Sequence, residues 1–206
     1  MRKTFILPII SIILWTSGTC LAEAPHQVGP FVLNKNIADY QEYVIMETAL
    51  PIRHMENIEE VETKPIEGFK SGIIAYATCT APMHIVRIKL KYTDSSKKFY
   101  EELLKRIKKR FGDPSEYRGD PFHIVIGWKW SFVDKENNKI SLTIQHNTMD
   151  QEEKKGNSIK LTMTNLIEKD RLCYKEKALD QSEKMRQQKW KLTVPGLKGW
   201  DRFLPR

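Results

Sequence analysis

The clearest pattern in the chain is a strict alternation of apolar and polar positions in its middle third. Residues 83–92 (MHIVRIKLKY) set His84, Val86, Ile88, Leu90 and Tyr92 on one side of an extended strand. Met83, Ile85, Arg87, Lys89 and Lys91 fall on the other. Side chains alternate across a strand, so one face is buried and the other becomes steadily wetter, as in an antiparallel sheet. Residues 72–79 (GIIAYATC) read as the hairpin partner across a short Thr80-Ala81-Pro82 link. Residues 122–132 then place Ile124, Ile126, Trp128, Trp130 and Phe132 together, and residues 139–148 do the same with Ile140, Leu142, Ile144 and His146. Residues 158–165 add Ile159, Leu161 and Met163. Polar turns between these runs predict a meander.

Between the hairpin and the meander the period changes to that of a helix. Phe99, Leu103, Ile107 and Phe111, helped by Tyr100 and Leu104, form one stripe, the spacing of a helix with a single buried face. Asp94 or Ser95 is expected to cap its start. Gly112 suits a left-handed stop, and Pro114 blocks further propagation.

The earlier segments are less patterned. Residues 31–33 read as a short strand, and residues 37–46 fit a helix or a strand equally well. Residues 52–63 alternate weakly and predict an edge strand. A charged, weakly amphipathic second helix is expected over about residues 170–190. Together these elements predict a single α+β domain. It has a mainly antiparallel sheet of four to six strands, one helix packed on one face, and a peripheral C-terminal helix and tail.

The N-terminus changes the picture of where this domain resides. Arg2 and Lys3 precede an apolar run from residue 5 to residue 15, followed by Thr19-Cys20-Leu21-Ala22. That is the layout of a secretory signal, with cleavage expected after Ala22. The expected organisation is a signal peptide at 1–22, an α+β domain at 23–182 and a basic, aromatic tail at 183–206. A lipid anchor on Cys20 is not expected, because Thr19 and Ser17 fit the lipidation pattern poorly. The protein is therefore read as periplasmic or secreted, with no transmembrane segment once the signal is removed.

Export redirects the reading of charge and cysteine. Losing Arg2 and Lys3 lowers the formal charge from +8 to +6. Outside the cytoplasm that charge points to an envelope protein, an anionic lipid surface or an anionic glycan as partner, and not to nucleic acid. Cys79 and Cys173 are the two cysteines left after cleavage, so a disulfide between them is expected.

Searching the sequence for chemistry turns up no compact constellation. The five histidines never fall at i,i+2 or i,i+4, and no Cys-x-x-Cys is present, so no metal site and no cofactor are predicted. His146 is expected to point inward and His123 outward. An enzyme with a scattered site would draw first on His84, Arg87 and His123. Residues 134–138 have the composition of a weak calcium loop but lack its central glycine and terminal Glu. Trp128 and Trp130 share a face and are core if the helix covers it; if it covers less, they join Arg118 and Lys129 in a candidate ligand or partner surface, with Trp200 and Phe203 from the tail. From Glu183 onward seven basic and two acidic residues are interleaved with aromatics, a mixture that suits an interfacial segment. The sequence-level function is thus a non-enzymatic binding or envelope-associated module. The alternatives are an extracytoplasmic hydrolase and a structural subunit of an envelope assembly.

Overall fold

The computed structural model describes residues 23–148 and 156–193, with side chains through residue 186. The signal-peptide reading, Trp200 and Phe203 lie outside these residues. A two-stranded ribbon comes first, β1 (Gln27–Val28) with β2 (Phe31–Val32), and a short 3-10 helix follows at Ile37–Tyr40. Four long strands come next: β3 (Val44–Ile52), β4 (Met55–Thr63), β5 (Phe69–Ala77) and β6 (Ile85–Tyr92). Helix α1 (Lys97–Phe111) leads to β7 (Glu116–Tyr117), β8 (Val125–Val133), β9 (Lys139–Asn147) and β10 (Gly156–Met163). The 30-residue helix α2 (Thr164–Thr193) closes the order.

The expected antiparallel α+β domain is present, but its sheet is larger than four to six strands. Eight strands join in the order β3-β4-β5-β6-β10-β9-β8-β7. The excess arises at both edges. The 37–46 region divides into the 3-10 helix and the start of β3, and β3 then displaces β4 from the expected edge position. At the other end the two-residue β7 pairs Glu116 with Lys129 and Tyr117 with Trp128.

The sheet has four strands and a helix on each side of the β6–β10 pairing. That pairing is antiparallel, setting Lys89 opposite Lys160 and Ile88 opposite Leu161. One face, here the inner face, carries the main core: Val61, Ile74, Ile88, Leu90, Trp130, Leu142, Ile144 and Leu161. Helix α1 covers the β8–β10 half of it, and Phe111 meets Phe132 edge-on at 5.3 Å. The N-terminal segment contributes Phe31, Leu33 and Ile37, all buried, to the same core.

Local chemistry explains how α1 is held. Ser96, rather than Asp94 or Ser95, is its N-cap, and its hydroxyl accepts from the Phe99 N–H at 3.2 Å. Asp94 instead accepts from the Ser96 N–H at 2.7 Å. Gly112 ends the helix at φ +79°, a left-handed conformation that costs glycine little. Tyr100 and Ile107 are the buried members of the stripe, while Phe99, Leu103, Leu104 and Phe111 are half-buried. Asn157 on β10 fastens the helix entrance by donating to the carbonyls of Asp94 and Ser96 at 2.8 and 2.9 Å.

Two details depart from the alternation read in the sequence. A register shift at Val86 turns Ile85 to the inner face beside Tyr76. Val86 joins a separate cluster with Ile58, Ala75 and Ala77 under Leu166 and Ile167 of α2. In addition, α2 starts at Thr164, earlier than the expected 170, directly at the end of β10, where the Thr164 hydroxyl donates to the Lys139 carbonyl at 3.1 Å.

Candidate functional site

Among the described residues, the second face of the sheet is covered only at one end. There the first turns of α2 lie over Ile58, Ala75, Ala77 and Val86. The Asp170 carboxylate accepts from the N–H groups of Thr78, Cys79 and Thr80 at 3.3, 2.9 and 2.5 Å, and from Asn57 Nδ2 at 3.4 Å. Cys79 and Cys173 form a disulfide with their Cα atoms 6.0 Å apart. From Tyr174 to Arg186 every described residue of α2 is exposed.

The remainder of this open face is built by strand register. Opposed residues on antiparallel strands project to the same side. One row across the sheet therefore runs Lys89 (β6), Lys160 (β10), Thr143 (β9) and Lys129 (β8). The next row toward α2 runs Arg87, Thr162, Ser141 and Ser131. On the far side Ser158 opposes Gln145, and Gln145 opposes Gly127. Arg118 sits beside Gly127, donating its backbone N–H to the Gly127 carbonyl at 2.8 Å.

The charge on this face is strongly one-sided. Among the described residues its carboxylates sit toward the two edges, including Glu60 and Glu62 on β4 and Glu116 on β7. Between them β5, β6, β10, β9 and β8 present no acidic side chain to this face. Glu116 pairs with Arg118 at 3.0 Å and with Lys129 at 3.3 Å. Among the described residues no carboxylate lies within ion-pair distance of Arg87, Lys89 or Lys160. Desolvation holds the Lys160 ammonium below the usual lysine pKa, and Arg87, Lys89, Arg118 and Lys129 lower it further. Lys160 is nonetheless exposed, so the desolvation is that of a crowded surface and not of an enclosed site. Arg87 is lowered by desolvation and partly restored by the field of Glu60.

The residues grouped as one surface from the sequence separate here. Trp130 is 2% exposed and its Nε1–H donates to the Gly112 carbonyl at 2.9 Å, so it belongs to the core. Trp128 is half-buried on the same face, edge-on to Tyr117 at 5.1 Å and beneath Lys108 at 5.9 Å. Lys129, one residue from each tryptophan, projects to the opposite side because the strand period is two. Only Arg118 and Lys129 of that group reach the open face. Arg87, Lys89 and Lys160 join them, and their alternating strand positions were the available signal.

Other candidates are held in structural roles. His146 is buried, 2.7 Å from Asn157 Oδ1 through Nδ1, with Tyr100 stacked at 5.5 Å. His123 sits on an exposed loop, 3.1 Å from the Tyr117 hydroxyl. His84 Nδ1 lies 3.0 Å from the Pro82 carbonyl. These contacts do not bring His84, Arg87 and His123 into one site. Asp134 accepts from Glu136 N–H, Asn138 N–H and Asn138 Nδ2, so its oxygens close the β8–β9 turn. No group of three or more potential metal ligands occurs among the described residues. A depression of about 560 Å³ runs along the outward side of α1, where Glu102, Lys105, Arg106, Lys109 and Arg110 line it. These are charged positions on the exposed side of α1, opposite its apolar stripe, and a single helix surface does not converge groups on a ligand.

No described helix is long and apolar enough to cross a membrane. The chain matches no family model, no curated protein and no solved structure.

Proposed function

We propose that this is an extracytoplasmic, non-enzymatic binding module that takes an anionic ligand on the open face of its sheet. One observation carries the reading. Arg87 and Lys89 of β6, Lys160 of β10, Lys129 of β8 and Arg118 beside β7 are gathered on one side by sheet pairing. Five cations in one field raise the local concentration of anions and attract an acidic partner. The disulfide and the signal-like N-terminus support a location outside the cytoplasm.

Chromatography of the mature protein on an immobilised sulfated polymer tests this. The wild type should elute at raised salt. Lys160→Glu and Lys129→Glu should elute earlier, whereas Lys105→Glu on the outer side of α1 should shift much less. Equal shifts for all three would mean that net charge, and not this face, governs retention.

A further inference from the structure

The shape of the same face narrows the ligand class, and we infer that its occupant is a linear anionic glycan lying across the strands rather than a lipid surface. This inference rests on the anion-binding reading above. The first observation is the wall at one end. The opening turns of α2 pack on the open face over Ile58, Ala75, Ala77 and Val86, fixed there by Asp170 and the disulfide. A helix with its side chains is about 10–12 Å across. It stands higher above the sheet than the lysine side chains beside it can reach. A flat bilayer meets that helix before it meets Lys160, whereas a single polymer strand can lie along the foot of the wall.

The second observation is the direction of the charged row. Lys89 and Lys160 are direct cross-strand partners, and Lys129 is two strands further on. Neighbouring strands are about 4.8 Å apart, so Lys129 lies about 10 Å beyond Lys160. Thr143 fills the gap between them, and at the β7 end Glu116 opposes Lys129 and pairs with both it and Arg118. The row therefore presents three ammonium groups and one hydroxyl over four strands. Ser158, Gln145 and Ser131 flank it as further neutral hydrogen-bonding groups. A chain that carries several sulfate or carboxylate groups together with hydroxyls can bond such a row at successive points.

The third observation is the composition of the face between the cations. Among the described strand residues, its apolar members are Ile73, Ala75, Val125 and Val133, with no aromatic ring. Trp128, Trp130 and Phe132 all turn to the inner face. Nucleobases are held largely by stacking on aromatic side chains, and the described strands offer none on this face. Recognition must come from charge and hydrogen bonds distributed along an extended ligand. Such contacts add up through chain length, so affinity should rise steeply with the number of charged units that reach successive cations.

The test uses calorimetric titration of the mature protein with a heparin-derived octasaccharide, the corresponding disaccharide, and phosphatidylglycerol vesicles. The octasaccharide should bind at least about tenfold more tightly than the disaccharide, because only the longer chain spans Lys89 to Lys129. Lys160→Glu should weaken octasaccharide binding about tenfold, with Lys160→Gln giving a smaller loss in the same direction. Circular dichroism should show both variants folded. Vesicles should bind weakly, and that binding should be unaffected by Lys160→Glu. Vesicle binding that Lys160→Glu weakens would overturn the glycan inference while leaving anion binding intact. So would equal affinity for the two oligosaccharides. Failure to bind any of the three probes would overturn the anion-binding reading itself, as would binding indifferent to both Lys160→Glu and Lys129→Glu.

Discussion

Asp170 accepts a hydrogen bond from the Cys79 N–H at 2.9 Å, one helical turn before Cys173, the residue to which Cys79 is disulfide-bonded. The end of β5 is thus held to α2 twice, by an ionic cradle of N–H groups and by a covalent bond. The disulfide closes a separation of 94 residues. Chain entropy assigns such a crosslink about 4–5 kcal/mol. Asp170→Ala leaves the N–H groups of residues 78–80 without their acceptor and should cost at least about 2 kcal/mol. Because both devices anchor one segment, the triple variant Cys79→Ala, Cys173→Ala, Asp170→Ala should lose a different amount from the sum of the separate losses. Urea titration of the set measures that coupling, and strict additivity would show that the two anchors act independently.

The buried face of α1 should separate cleanly from its wet face. Ile107 is 8% exposed and packs in the main core, whereas Lys105 is exposed. Ile107→Ala should cost about 2–5 kcal/mol, since the cavity cannot fully collapse. Lys105→Ala should change stability by less than about 0.5 kcal/mol. Comparable losses in denaturant would put the wrong side of the helix against the sheet.

Trp130 ties the sheet to the end of that helix through its indole N–H. Trp130→Phe keeps most of the apolar volume but removes the donor to the Gly112 carbonyl. The substitution should therefore cost about 1–3 kcal/mol, chiefly through the unpaired carbonyl. Trp128 makes no such bond, so Trp128→Phe should cost less. Thermal melts of the two variants decide, and an equal loss would assign the effect to packing alone.

Lys160 makes a prediction of opposite sign for stability and for binding. Its lowered pKa means that the charged form is disfavoured in the folded protein relative to an ordinary lysine. That penalty is present at neutral pH and is relieved as pH rises through the lowered pKa. Lys160→Gln should therefore melt slightly higher than the wild type near neutrality, with the advantage vanishing in alkali. A bound anion favours the ammonium and raises its pKa. Affinity for the anionic ligand should accordingly start to fall at a pH below the range in which ordinary lysines lose their charge. A Lys160→Gln variant that is both less stable and unaltered in binding would give this lysine a purely structural role.

Much of the architecture was legible because it rests on local periodicity. The β5–β6 hairpin, the meander from β8 to β10, helix α1 and its stop at Gly112 all follow from patterns spanning a few residues. The inward turn of His146 and the burial of Trp130 follow from the same period of two. The Cys79–Cys173 bond was reachable by elimination, since only one internal pairing remained after export. The extent of the sheet was not legible. Its edges are made by β3, which interrupts its own pairing with β4 between Ile45 and Leu50, and by the two-residue β7. Neither carries a clean alternation.

What the sequence by itself determined is which residues of each strand share a face. It determined that Lys89 and Lys160 each alternate with core residues, and that Trp128 and Lys129 point opposite ways. Only the tertiary structure decided that β6 and β10 are neighbours. Their pairing sets Lys89 against Lys160 across a stretch of chain that includes α1, β7, β8 and β9. Periodicity is a property of adjacent residues, whereas strand order is chosen by burial of the whole inner face at once. The candidate site is a product of that choice, because its cations converge only when the core on the other side of the sheet has closed.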